Sequence, residues 1–512
     1  MNGAESLVKT LLASGVDTCF SNPGTSEMHF VAALDRIPGI RCVLGLFEGV
    51  VTGAADGYYR MAEKPAATLL HCGPGLANGL ANLHNARRAQ SGVVNVVGDQ
   101  ATYHRPYDAP LTADTEGWAR PVSAWVRTAT HAKHVGADAA VAVQVARTSP
   151  GQIATLVLPA NTAWDEGGEP GAPLPVPPAP AVAPDVVTRI ARVLRSGEPA
   201  LLLLGGRALR AGALESANRI AAATGARMLA PGSNGRIERG RGRVAIERVP
   251  YPVDTAVQAL SGLKHIVLVG AVDPVGFFAY PGKPGRVAPA DAAVHVLSRI
   301  EQDHAAALAA LADELGAPAV ALPARPAPEG AARGKPTPEA IAQTLAALLP
   351  EQAIVIDEAV TTGRGFFPAT HAAAPHDWLA LCGGAIGEGI PLATGAAIGA
   401  PGRRVVGLQA DGSGMYTLQG LWTQAREKLD VTTIVFSNRK YAILLGELAN
   451  VGANPGRTAL DMMDIGNPDL DWVRMANGMG VEAAKAETCE QLADLMAQSF
   501  RRSGPFVIEL VM

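Results

Sequence analysis

An α/β fold built from three doubly wound parallel sheets is the class this chain predicts, and three observations predict it. The segment from Arg403 to Tyr441 holds two apolar runs, Val405 to Leu408 and Val431 to Phe436, that read as strands buried in a parallel sheet. Between them, Leu418, Leu421 and Leu429 carry helical spacing, so the unit is strand–helix–strand with a right-handed crossover. The same alternation of short apolar strands and helical segments recurs along the whole sequence. Finally, residues 166–184 and 318–338 are rich in Pro, Ala and Gly, the composition of extended linkers. They divide the chain into expected domains at 1–165, 185–317 and 339–512.

Composition narrows the function classes. With 48% hydrophobic and 18% charged residues, the 512-residue chain is globular and core-rich. A net charge of −4 and the lack of a basic run give no reason to expect nucleic acid. The five cysteines are scattered, odd in number and without metal-ligand spacing, so a reduced cytoplasm is the expected compartment. The opening MNGAESLVKTLLASGV reads as an amphipathic helix rather than a signal peptide. No apolar stretch reaches membrane-spanning length.

In the first block, polar groups stand at strand ends. Phe20 to Glu27 ends a strand in a Pro-Gly turn with hydroxyls. In Cys42 to Tyr58, Glu48 is flanked by apolar residues, and Gly49, Gly53, Ala54 and Ala55 open a tightly packed helix. Such a setting raises a carboxyl pKa and keeps a proton available; a helix-capping glutamate is the plainer alternative. His71, in Thr68 to Gly75, ends another strand, and histidine titrates near neutrality; simple strand capping is again the alternative. The middle block opens with the strand Ala200 to Leu204 and the turn Gly205-Gly206, which lacks the spaced glycine fingerprint of dinucleotide sites.

The third block carries the densest signal. Asp411, in Ala410-Asp411-Gly412-Ser413-Gly414, follows one parallel strand, and Asn438 follows its neighbour 27 residues later. Their oxygens converge where α/β sheets bind ligands. A carboxylate and an amide oxygen suit Mg²⁺ or Ca²⁺, while Gly412, Ser413 and Gly414 let backbone N–H groups approach a phosphate. An ordinary Asp-Gly turn is the alternative for DGSG alone.

These segments resemble the thiamine-diphosphate-dependent decarboxylase and acetohydroxyacid synthase superfamily over nearly the whole chain, and benzoylformate decarboxylases in particular. The resemblance implies pyrimidine-binding, middle and diphosphate-binding domains, in that order. It implies thiamine diphosphate with Mg²⁺ (Ca²⁺ as a substitute) held by Asp411, Asn438 and the Lys440 carbonyl. Glu48 would be the activating glutamate, His71 the proton-transfer histidine and Thr25 the active-site hydroxyl. Ile386, in Cys382 to Pro391, would wedge beneath the bent cofactor; Thr361, Gly412, Ser413 and Tyr441 would complete its site. Phe277, Phe278, Tyr280, Ile443 and Leu444 would line the substrate pocket. Two departures, Ala410 for glycine and Ser437 for asparagine, spare the metal ligands.

A third departure bears on chemistry. Where the family carries a middle-domain histidine this chain reads Ala279 or Tyr280; His104 is a candidate replacement, a solvated loop histidine the plainer reading. His84 is assigned no chemistry, and FAD is not expected. The implied activity is non-oxidative decarboxylation of a 2-oxo acid, with acetolactate-synthase-like carboligation and a non-catalytic cofactor-binding protein as alternatives. Because Glu48 and Asp411 lie in different blocks, the resemblance implies a homodimer at minimum and a homotetramer by expectation.

Overall fold

The computed structural model describes residues 1–512. The first sheet has six parallel strands in the order Arg41–Leu44, Thr18–Asn22, Ala66–Leu70, Val93–Asp99, Ile153–Pro159 and Trp125–Thr128. The second has five, Glu247–Arg248, Arg227–Ala230, Ala200–Leu204, His265–Val269 and Ala293–Ser298, again all parallel. Uninterrupted apolar strands drive this, because both faces are covered: all five residues of Ala200–Leu204 are buried. Covering helices show the matching period. In Pro184–Leu194, Val187, Ile190, Ala191 and Leu194 form the buried stripe, and proline occupies the first turn, where its missing N–H costs nothing.

The third sheet has seven strands: Glu482–Ala486, Phe506–Val511, Val431–Ser437, Val405–Ala410, Ile354–Glu358, His376–Ala380 and Ile237–Arg239. The last departs from the purely parallel expectation. It comes from the middle block and pairs antiparallel with His376–Ala380. An edge strand leaves unpaired backbone groups, and a short antiparallel strand covers them. The core follows this connection: one apolar cluster runs from Val187 and Leu202 through Ile341 and Trp378 to Leu510.

A second cluster joins the first and third blocks through the helices Glu48–Ala62 and Gly389–Gly399. Gly395 lies so close to the Ala54 carbonyl that a Cβ would overlap it. That contact lets the two backbones meet, and it explains the run of small residues after Glu48. Buried charge crosses the same seam: Arg60 donates to Asp56 and to Glu388, both at 2.6 Å. Burial holds the Glu388 carboxyl well above its usual range. No helix is long and apolar enough to cross a membrane.

Candidate active site

Glu48 begins the helix Glu48–Ala62 directly after the strand Arg41–Leu44, and it is 8% exposed. Its carboxylate accepts one side-chain hydrogen bond, from Asn78 Nδ2 at 3.0 Å. Gly75 gives it room: a Cβ there would lie 2.9 Å from Glu48 Oε1. Asn82 donates to the Gly49 carbonyl at 2.7 Å and to Gly387 at 3.4 Å, tying the start of this helix to the loop that contains Ile386. Neither asparagine was singled out by sequence reasoning, since both look like ordinary polar residues of the helix Cys72–Arg88.

His71 caps that helix, and its Nδ1 lies 2.8 Å from Glu27 Oε2. Glu27 is fully buried and also accepts from Gly24 N at 2.8 Å and Ser26 Oγ at 2.7 Å. A buried carboxylate on Nδ1 fixes the ring and directs Nε2 outward, the arrangement a proton-transfer imidazole needs. Cys72 follows with φ of 53°, its thiol 3.0 Å from Ser26 Oγ, and burial pushes it up to about 11. Thr25 is exposed and makes no side-chain hydrogen bond, whereas its neighbour Ser26 faces His71. Glu27 was missed by sequence reasoning; its signal is an acid three residues beyond Gly24, where it can bond back to the turn.

In the third sheet, Ala410 pairs with Phe436, so the residues that follow emerge side by side. Asp411 is 2% exposed. Its Oδ2 accepts from Arg439 N at 2.7 Å and its Oδ1 from Gly412 N at 2.9 Å, so the carboxylate is held against the Asn438–Arg439 turn. Burial raises its pKa, and no cationic side chain pairs with it. A desolvated carboxylate lacking a counter-cation, beside the half-buried Asn438, is a donor set that fits a divalent ion. Asn438 Oδ1 accepts from Lys440 N at 3.0 Å. Tyr441 packs its ring on Gly412, and Ser413 donates to the Ala410 carbonyl at 3.2 Å.

The Ile386 loop is held from below by Glu358, which ends the strand Ile354–Glu358 fully enclosed. It accepts from Gly387 N at 2.6 Å, Gly389 N at 2.7 Å and Gln409 Nε2 at 2.9 Å. Asn85 closes the other side, donating to the Ala385 carbonyl at 2.7 Å, and His84 lies 3.1 Å from the Gly383 carbonyl, a structural contact. Ile386 itself stays half-buried, and Thr361 caps a short turn without a side-chain bond. Phe277 stacks near Tyr251 at 5.6 Å and packs on Gly384, which brings the middle-block aromatic segment to this loop. Phe278 is 5.0 Å from Phe277. Tyr251 donates to Glu447 at 3.3 Å, one turn beyond Ile443 on the helix Ala442–Asn450, where Leu444 is exposed. Tyr280 is raised by burial and by Glu447. His104 is exposed beside Tyr107. Glu48 and Asp411 share no hydrogen-bond partner within one chain.

Comparison with known proteins gives the family. Residues 1–119 match the thiamine pyrophosphate enzyme N-terminal TPP binding domain, and residues 365–510 match the C-terminal TPP binding domain. A Mycobacterium tuberculosis protein named "Putative acetolactate synthase large subunit IlvX" is 54% identical, covering 100% of this chain and 99% of its own length. Benzoylformate decarboxylase of Pseudomonas aeruginosa is 29% identical over 97% of this chain and 96% of its own. The fold matches the solved thiamine diphosphate-dependent 4-hydroxybenzoylformate decarboxylase of Rhodococcus jostii with a TM-score of 0.86 and 24% identity, covering 99% of this chain and 98% of that one. The chain therefore belongs to the thiamine pyrophosphate enzyme family, among enzymes of decarboxylase and acetolactate synthase type.

Proposed function

We propose that this enzyme carries out non-oxidative decarboxylation of a 2-oxo acid with thiamine diphosphate and Mg²⁺. The buried Asp411 carboxylate, without a counter-cation and beside Asn438, carries this reading. Those two side chains and the Lys440 carbonyl hold the metal, while Gly412, Ser413 and Thr361 approach the diphosphate. The bound cofactor supplies a nucleophilic carbon and takes up the electrons released as CO₂ leaves. Glu48, buried at the start of its helix and touched by the Asn78 amide, would hold the proton whose movement makes that carbon nucleophilic. His71, oriented by Glu27, moves protons on the substrate oxygen through Nε2. Phe277, Phe278, Tyr280, Ile443 and Leu444 exclude water and shape the pocket for the substrate side chain.

Carboligation is the second reading. The 54% identical relative is named for acetolactate synthesis, and this chain has no histidine at Ala279 or Tyr280 to deliver the proton that the carbonyl carbon gains in place of CO₂ when an aldehyde is the product. A non-catalytic role fits less well with Glu48, Asp411 and Asn438 all in place. Incubation with pyruvate and with benzoylformate separates the readings: free aldehyde supports decarboxylation, and a hydroxyketone carrying both fragments supports carboligation. No turnover of either, with cofactor bound, supports the non-catalytic role. The active unit in this reading is a homodimer that pairs Glu48 of one subunit with Asp411 of its partner, assembled as a homotetramer in the cytoplasm.

A further inference from the structure

Beside the proposed proton-transfer histidine, the first sheet gathers three ligand types at one point. The strands Thr18–Asn22, Ala66–Leu70 and Val93–Asp99 lie side by side in parallel, with Asn22 opposite Leu70 and Leu70 opposite Val97, so the segments that follow them leave the sheet together. The turn Thr25–Glu27 supplies a carboxylate; the helix Cys72–Arg88 has an imidazole as its cap and a thiol at its first position. A Glu27 oxygen, a His71 ring nitrogen and Cys72 Sγ all lie within 4.8 Å of one another. Two glycines make the space. A Cβ at Gly24 would overlap the His71 ring, and one at Gly98 the Glu27 carboxylate.

The cluster has the dimensions and the charge of a metal site. Bonds of about 2.0–2.3 Å in a tetrahedral shell set ligand atoms roughly 3.3–3.8 Å apart. Here His71 Nδ1 stands 2.8 Å from Glu27 Oε2, and Cys72 Sγ stands 3.9 Å from Glu27 Oε1. Solvent reaches the cluster past the His71 side chain, which is 25% exposed, so water can take the fourth position. Glu27 is fully buried, and its one ion-pair partner is His71 rather than a Lys or Arg. A buried carboxylate without a permanent cation leaves a charge that a metal ion balances. The donors also differ in kind from those at Asp411. Nitrogen and sulfur favour Zn²⁺ and its neighbours, whereas the oxygens of Asp411 and Asn438 suit Mg²⁺.

We infer that Glu27, His71 and Cys72 form a binding site for a thiophilic divalent cation such as Zn²⁺, and that its occupancy inhibits the enzyme. Binding replaces the Cys72 S–H bond with a metal–sulfur bond and releases the proton to solvent. The Nδ1 lone pair goes to the metal, so the ring's remaining proton sits on Nε2 and that nitrogen no longer accepts one. No electron changes hands, and a chelator that withdraws the metal restores the thiol and the Glu27–His71 hydrogen bond. The inhibitory half rests on the role proposed for His71; the binding half does not.

The test is titration of Co²⁺, a spectroscopic stand-in for Zn²⁺, into protein held saturated with thiamine diphosphate by excess Mg²⁺. One Co²⁺ per chain should bring a near-ultraviolet thiolate-to-metal absorption, a band that oxygen ligands at the Mg²⁺ site do not give. Cys72→Ser should abolish the band, and Glu27→Gln should weaken binding at least about tenfold. Cys42→Ser, which removes the exposed thiol, should leave the band intact. Melting temperatures without Co²⁺ verify that the variants fold. No band at millimolar Co²⁺, a band that survives Cys72→Ser, or one lost with Cys42 instead overturns the site, whatever the enzyme catalyses. In turnover assays Zn²⁺ should inhibit the wild type reversibly and spare Cys72→Ser. Full turnover with the site filled, or equal inhibition of both proteins, overturns the inhibitory half. Absence of turnover without any Zn²⁺ removes that half together with the catalytic reading, and the band alone still decides the site.

Discussion

The two acids of the proposed site, Glu48 and Asp411, are both buried but are held in opposite ways. Asp411 is fixed by backbone N–H groups of Gly412 and Arg439, donors that cannot swing away. Glu48 rests on one amide, Asn78, and on the space left by Gly75. The difference matches the two tasks proposed for them. A metal ligand works by staying still, with its lone pairs aimed at one point. A group that passes a proton works by reaching two partners in turn, and a single amide contact leaves its carboxyl free to do so. Glu27 and Glu358, each accepting three or more bonds, belong with the fixed class: they position His71 and the Ile386 loop.

Substitutions can break this contrast. The largest effect is expected at Glu48→Gln, which keeps the shape and the Asn78 contact but removes the proton: turnover should fall by ~10²-fold or more, the scale of lost acid–base catalysis. Cofactor content, measured on denatured protein, should stay near wild type; equal loss of both would make Glu48 a binding group. Asp411→Ala should do the reverse, weakening Mg²⁺-dependent cofactor affinity by more than the ~10–100-fold typical of outer-shell changes. Retained affinity in a Mg²⁺ titration would remove Asp411 from the metal.

Two smaller changes sharpen it. Gly395→Val forces a side chain into the Ala54 carbonyl and should destabilise the helix pair by roughly 1–3 kcal/mol, read as a lower melting temperature. Asn78→Ala removes the single hydrogen bond of Glu48, worth about 1 kcal/mol, and should lower kcat about fivefold without altering cofactor affinity. An unchanged kcat would show that Glu48 is positioned by packing alone.

The strand runs and the Asp411–Asn438 spacing were legible in the sequence because both rest on local pattern. Apolar runs mark buried strands, and parallel neighbours bring their carboxyl ends together. The edge strand Ile237–Arg239 was not, because three residues carry no period and its partner lies more than 130 positions away. Glu27 and Glu358 were hidden for a related reason. Nothing in a loop glutamate or a strand-end glutamate says which distant N–H groups will meet it. Adjacent hydroxyls look alike in sequence, and the turn Thr25–Glu27 separates them: Ser26 faces His71 while Thr25 stays exposed.

The central claim is that Glu48 and Asp411 serve one cofactor from two different subunits, and complementation measures this directly. Glu48→Gln and Asp411→Ala chains, each inactive alone, are mixed under conditions that let subunits exchange. Random pairing makes half of the dimers mixed, each with one of its two sites intact, so activity should return to about a quarter of wild type. If subunits exchange and no activity returns, the two acids act within a single chain and the account is wrong.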